Sequence, residues 1–200
     1  MQIPWNPANI LSLARLLATI PLVMLILAAT RWSLFAAAIL FVIMAITDTI
    51  DGRLARRYAW VSNVGIFLDL TADKVYTSAT LIAMVAVGIL PTWMAIVIIV
   101  REFIIAGLRS FAAAEGMVIP ADRWAKHKML LTIIAVVWML IWASAGFSSL
   151  GLTPIFRPVG VLYPLGLLFG FGYWLMLGAV LLTLFSGYEY LRKASSLFRT

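Results

Sequence analysis

The chain has 200 residues, of which 64% are hydrophobic and only 12% charged, and its mean hydropathy is +1.06. A soluble domain carries roughly twice that charged fraction, so composition excludes a soluble globular protein and points to an integral membrane chain. The net charge of +7 does not require nucleic acid, because the basic residues fall in short clusters at the ends of apolar runs, where membrane orientation alone puts them. Cysteine is absent, which excludes a disulfide framework.

The apolar runs are continuous and do not alternate. That pattern predicts an all-α, polytopic fold and argues against a strand barrel. The first residues, Met-Gln-Ile-Pro-Trp-Asn-Pro, lack the basic start of a cleavable signal, so the first span is expected to stay. A short segment with Pro4 and Pro7 is expected to lie along the interface. Six transmembrane helices follow. They run from about Ile10 to Ala29, Ser33 to Thr49, Asn63 to Leu90, Trp93 to Ala114, Met129 to Ala145, and Val161 to Leu184 with a tail through Arg192 and Lys193. Trp5, Trp32, Trp60, Trp93 and Trp124 fall near the span ends, where amphipathic aromatics anchor. No internal repeat is evident, so residues 1–200 are expected to form one membrane domain.

Orientation follows from the cations. Arg53, Arg56, Arg57, Arg123, Lys126, Lys128, Arg192, Lys193 and Arg199 fall on one side, against Arg31 and Arg157 on the other. The first side is expected to be cytoplasmic, with both termini there, in a multi-pass protein of the cell membrane.

Half of the eight acidic residues stand within one short stretch: Asp48, Asp51, Asp69 and Asp73. Asp48 and Asp51 are three apart and Asp69 and Asp73 four apart, so each pair shares a helix face. A short link makes the two helices antiparallel neighbours, and the carboxylates can converge. Four carboxylates in an apolar chain repel one another and need cations. One or two divalent ions are the simplest answer, and metals on carboxylates usually serve phosphate chemistry. Gly52 and Gly65 leave room for close approach, and Arg56 suits a phosphate or a neighbouring carboxylate. Arg15 and Lys74 can join the same pocket. Ion pairing with Arg53, Arg56 and Arg57 is the plainer account of any single aspartate.

The fourth span carries Arg101, Glu102 and Arg109, and the loop after it Lys126 and Lys128. Glu102 cannot offset that much positive charge, so an anionic ligand is expected there. His127, the one histidine, reads as a solvated loop residue. Gly166, Gly170, Gly172 and Gly178 in the last span read as sites of close helix packing.

The array resembles the signature of the CDP-alcohol phosphatidyltransferase family, D-x2-D-G-x2-A-R-x8-G-x3-D-x3-D. Asp48, Asp51, Gly52, Ala55, Arg56, Gly65, Asp69 and Asp73 match every fixed position. The resemblance implies transfer of a phosphatidyl or similar group from a CDP-linked donor to an alcohol, with release of CMP. It implies two divalent ions, Mg2+ or Mn2+, on the four aspartates, with Asp73 also the catalytic base. It implies that Gly52 and Arg56 contact the nucleotide diphosphate, with Ser62 a further donor contact; Ser62 also reads as a helix cap before Asn63.

Two other stretches, Asn9-Ile-Leu-Ser12-Leu-Ala-Arg15 with Pro21, and Arg101-Glu102-Phe103 with Leu108-Arg109, are similar to the phosphatidylglycerophosphate synthases of that family. They imply CDP-diacylglycerol as donor and glycerol 3-phosphate as acceptor. Asn9 and Ser12 then join the donor site, and the acceptor's phosphate falls to Arg101, Arg109, Lys126 and Lys128. Membrane lipids and a homodimer are the other expected partners. The chain departs from the subfamily's G-K-x-K-T at Ala125 and Met129. That departure leaves other acceptors open, giving cardiolipin or a phosphatidylinositol phosphate. A divalent-cation transporter is the alternative from another class, although the aspartates cluster toward one leaflet and lack the repeats of such proteins.

Overall fold

A computed structural model describes residues 7–57, 63–116, 123–147 and 163–197, with side chains described outside 7–8, 50–57, 63–64, 66, 123–126, 146–147, 163–170 and 193–197. Within these limits the chain is all-helical: α1 Pro7–Leu27, α2 Arg31–Arg57, α3 Asn63–Ala86, α4 Thr92–Ala114, α5 Arg123–Trp142, a π-helical turn Ala143–Phe147, and α6 Tyr163–Leu197. No strand occurs among the described residues. Among the described residues, four segments are long and apolar enough to cross a bilayer: Asn9–Leu27, Arg31–Thr49, His127–Ala145 and Phe171–Arg192. Helices α3 and α4 fall outside that group. Asp69, Asp73 and Lys74 interrupt the one, and Arg101, Glu102 and Arg109 the other.

Several helices run further than their apolar stretches. Helix α2 continues past Thr49 through Gly52 to Arg57, and α5 begins at Arg123 rather than near Met129. Helix α6 carries on through the basic tail to Leu197. Hydropathy marks the bilayer-compatible part of a helix, whereas backbone hydrogen bonding continues until a breaker intervenes.

Helix α3 ends where such a breaker stands. Gly88 adopts φ +73. Its N–H donates to Val85 O at 3.0 Å, and the Ile89 N–H donates to Met84 O at 2.9 Å. This is the paired closure of a Schellman motif, and Pro91 follows it. Helix α1 also ends on a left-handed residue, without the glycine and with only the inner of the two bonds: Ala29 has φ 50, and its N–H donates to Ile26 O at 3.0 Å. Thr30 and Ser33 then cap α2 reciprocally. The Thr30 N–H donates to Ser33 Oγ at 2.9 Å and the Ser33 N–H to Thr30 Oγ1 at 3.2 Å.

The chain divides into two compact units, Met1–Leu90 with Leu140–Gly151, and Pro91–Met139 with Leu152–Thr200. In the first, α1 packs against α2 and α3. Helix α1 is inside-out by soluble standards. Asn9, Ser12, Arg15 and Thr19 are buried on one face, whereas Ile10, Leu13, Leu17, Ile20 and Met24 are exposed. An apolar outer face around a polar inner one is the arrangement that lipid demands. Toward the other end of α1 the inner face turns apolar, with Leu22 and Ile26 fully buried. Small residues Ala37, Ala38 and Ala72 are buried in the same unit, alongside Phe41 and Tyr76, whose rings lie 5.5 Å apart.

In the second unit α4 packs against α6. Tyr190 forms a buried cluster with Ile105 and Ala112, flanked by Leu108. A methyl on Gly172 would stand 2.9 Å from Trp138 Cδ1 and 3.3 Å from Met139 Cγ. The glycine therefore lets α6 lie against α5 at a separation no larger residue permits. Hydroxyls in both units bond back along their own helices, as Thr19 Oγ1 does to Arg15 O at 3.0 Å and Thr132 Oγ1 to Lys128 O at 2.9 Å. Such bonds satisfy a polar group where water is scarce.

Candidate active site

Asp48 lies in the second half of α2, and Asp69 and Asp73 lie one turn apart on α3. The pair on α3 shares a face because four residues complete about one turn. Helix α1 supplies the charge that meets them. The Arg15 side chain is 1% exposed, and its Nη1 donates to Asp48 Oδ1. The same nitrogen lies 3.6 Å from Asp69 Oδ1. One guanidinium thus draws together carboxylates from two helices. A buried arginine so placed is held by the surrounding negative charge, and the carboxylates are held by it. Asp48 is 17% exposed and Asp69 46%, so the cluster opens on the α3 side.

Asp73 is engaged differently. Lys74 Nζ donates to Asp73 Oδ2 at 2.9 Å, with both side chains partly buried. Arg15 therefore serves the upstream carboxylates, while Lys74 sits on the one expected to act as base. Asn9 and Ser12 share the buried face of α1 with Arg15, at the helix positions that the spacing predicts.

The remaining expected residues of this cluster are placed only by backbone or not at all. Asp51, Gly52, Ala55 and Arg56 are helical within α2, but their side chains lie outside the described residues, and so does all of Ser62. Among the described residues no three acidic or histidine groups come together as a metal site. Asp48, Asp69 and Asp73 offer hard carboxylate oxygens, from two helices that meet at Arg15, and that set suits Mg2+ or Mn2+.

In the second unit Arg101, Glu102 and Lys128 form a tightly paired trio. Arg101 Nη1 donates to Glu102 Oε1 at 3.2 Å, and Lys128 Nζ donates to the same carboxylate oxygen. Glu102 thus bridges two cations and leaves the trio with a net positive charge. Arg101 Nη2 donates to Ser186 Oγ on α6 at 2.7 Å. Arg109 stands apart, exposed at its edge, with its guanidinium 5.8 Å from the centre of the Tyr190 ring. The backbone of Lys126 is helical in α5, and its side chain lies outside the described residues. His127 is exposed.

The sequence alone points past Ser186. A serine in an apolar span reads as a packing residue, and the glycines of α6 draw attention first. The available signal is a stripe: Thr183, Ser186 and Tyr190 recur at helical spacing, and all three are buried. A buried polar stripe on an apolar helix calls for partners on its neighbour, and Arg101 is one.

Comparison with known proteins identifies the family. The family model described as CDP-alcohol phosphatidyltransferase matches residues 5–185. A CDP-diacylglycerol–glycerol-3-phosphate 3-phosphatidyltransferase of Bacillus subtilis is 42% identical over 150 residues, covering 68% of this chain and 77% of its own. A protein of the same name from Rickettsia bellii is 29% identical over 198 residues, covering 99% of this chain and 100% of its own. With the signature complete and the match spanning nearly the whole chain, this protein belongs to the CDP-alcohol phosphatidyltransferase family.

Proposed function

We propose that the protein transfers the phosphatidyl group of CDP-diacylglycerol to glycerol 3-phosphate, releasing CMP and forming phosphatidylglycerophosphate. The observation that carries this reading is the gathering of Asp48 and Asp69 from two helices onto Arg15, within a signature complete at every fixed position. The names of the relatives from Bacillus subtilis and Rickettsia bellii supply the acceptor.

Asp48, Asp51, Asp69 and Asp73 would hold one or two divalent cations. When bound, such ions supply charge neutralisation on the donor's diphosphate and on departing CMP. Every other role falls to the chain. Asn9 and Ser12 line the buried face of α1 and are assigned to the donor's nucleotide, with Gly52, Arg56 and Ser62. Asp73 accepts the proton of the glycerol hydroxyl as its oxygen attacks the β-phosphorus. The bond between that phosphorus and the CMP oxygen breaks, and CMP carries the electron pair away. Lys74, 2.9 Å from Asp73 Oδ2, fixes the direction of the base. Arg101, Arg109, Lys126 and Lys128 are assigned the acceptor's phosphate, a dianion that suits guanidinium and ammonium groups.

In the bilayer, α3 and α4 would cross with the other four helices, their charged residues turned away from lipid. Both termini and the aspartates would face the cytoplasm.

An acceptor panel tests the assignment. Purified protein is given CDP-diacylglycerol and Mg2+ with glycerol 3-phosphate, phosphatidylglycerol, inositol phosphate or serine, and CMP is measured. Release is expected with glycerol 3-phosphate above all others, and to stop on chelation. A stronger response to another acceptor would reassign the substrate, and turnover undisturbed by chelation would remove the metals.

A further inference from the structure

Arg101 reaches across from α4 and lies along α6. Its Nη2 donates to Ser186 Oγ at 2.7 Å, and Ser186 is 1% exposed. The next residue is Gly187. A methyl there would stand 3.3 Å from Arg101 Cγ, closer than side chains ordinarily approach, and 3.4 Å from Nε. Arg101 Nε is itself buried against this surface without a hydrogen-bond partner. The glycine therefore makes the groove in which the aliphatic stem and Nε lie, and the serine catches the far end of the guanidinium. On the other side Glu102 Oε1 accepts from Nη1 at 3.2 Å.

A long side chain with four rotatable bonds is thus held at three points: stem, Nη1 and Nη2. Glu102 alone would not fix it. That carboxylate is shared with Lys128, and adjacent residues on one helix can pair in several rotamers. Among the described residues, the contact from α6 ties Arg101 to a second element.

We propose that Ser186 and Gly187 are positioning residues for Arg101, and that through it they set the enzyme's affinity for the phosphate of its acceptor. This deepens the functional reading above and rests on it. Neither residue needs to touch the substrate. Ser186 orients a planar, forked donor, and such a donor binds phosphate well only when its face and edge are set beforehand. The group of residues is chemically selective: an acceptor lacking phosphate gains nothing from a fixed Arg101.

The test is a kinetic split in the full-length protein. Ser186→Ala is expected to raise KM for glycerol 3-phosphate roughly tenfold, the scale of one hydrogen bond to a charged group. Turnover and KM for CDP-diacylglycerol should stay near those of the unsubstituted protein. Ser186→Thr keeps the hydroxyl and should largely restore the acceptor KM. Gly187→Ala should raise the acceptor KM by crowding Arg101, with Ser186 intact, and decides the matter if Ser186→Ala fails to assemble. An unchanged acceptor KM in the variant that assembles overturns the proposal. So does a fall in turnover with both KM values moving together, which a merely structural role would give. Absence of CMP release from the unsubstituted protein would overturn the functional reading beneath it, a result distinct from either of these.

Discussion

At the scale of single residues, Arg15 carries the most consequence. It is almost wholly buried, and its guanidinium is the described counter-charge shared by Asp48 and Asp69. Arg15→Met should leave two like charges facing across α2 and α3. The expected loss of stability is about 2 kcal/mol, below the roughly 3–5 kcal/mol of a fully buried pair because Asp69 is half exposed. Thermal unfolding in detergent would register it, and Arg15→Lys should lose less while failing to span both carboxylates. Asp73 makes the sharper functional prediction. Asp73→Asn keeps the shape and removes the base, so turnover should fall a hundredfold or more, with acceptor KM little altered. Full activity in that variant would remove Asp73 from the role of base. The aspartates were legible in the sequence because their spacings of three and four carry geometric content. Arg15 was legible only as a candidate, since its pairing spans 33 residues and depends on how α1 docks. The tie between Ser186 and Arg101 was hardly legible: it spans 85 residues, and the stripe of Thr183, Ser186 and Tyr190 calls for a polar partner without saying which.

At the scale of elements, the chain's helices follow bilayer logic in some places and site chemistry in others. Helix α1 buries its polar face and exposes its apolar one, as the run of hydropathy and the Asn9–Ser12–Arg15 spacing together imply. Helices α3 and α4 depart from a simple apolar span because the residues assigned to function sit in them. The ends of helices were less legible. Helix α2 runs through Gly52 although glycine costs about 1 kcal/mol in a helix interior, because the backbone hydrogen bonds of a continuing helix outweigh that cost. One end is strained in a way that can be measured. Ala29 occupies the left-handed region that closes α1, at φ 50, which disfavours any residue with a Cβ by about 1–2 kcal/mol. Ala29→Gly should therefore stabilise the protein, by roughly 0.5–1 kcal/mol after the added freedom of the unfolded chain is offset. A lower unfolding temperature for Ala29→Gly would contradict the Schellman-like reading of that turn.

At the scale of the whole molecule, two compact units carry different chemistry. The first holds the carboxylates of the signature, and the second holds the bridged cations Arg101, Glu102 and Lys128. The division of labour proposed here gives the donor's diphosphate to the first and the acceptor's phosphate to the second. Topology can be tested cleanly because the chain has no cysteine. Ser195→Cys should react with a membrane-impermeant thiol reagent only from the cytoplasmic face, and Ser149→Cys only from the opposite face; labelling of both from one side would refute the six-span arrangement. The central claim is phosphatidyl transfer, and it is tested most directly by following labelled glycerol 3-phosphate into lipid. With CDP-diacylglycerol and Mg2+, label should enter the organic phase as phosphatidylglycerophosphate, with one CMP released for each molecule formed. Label confined to the aqueous phase in the presence of folded protein, donor and metal would contradict the account.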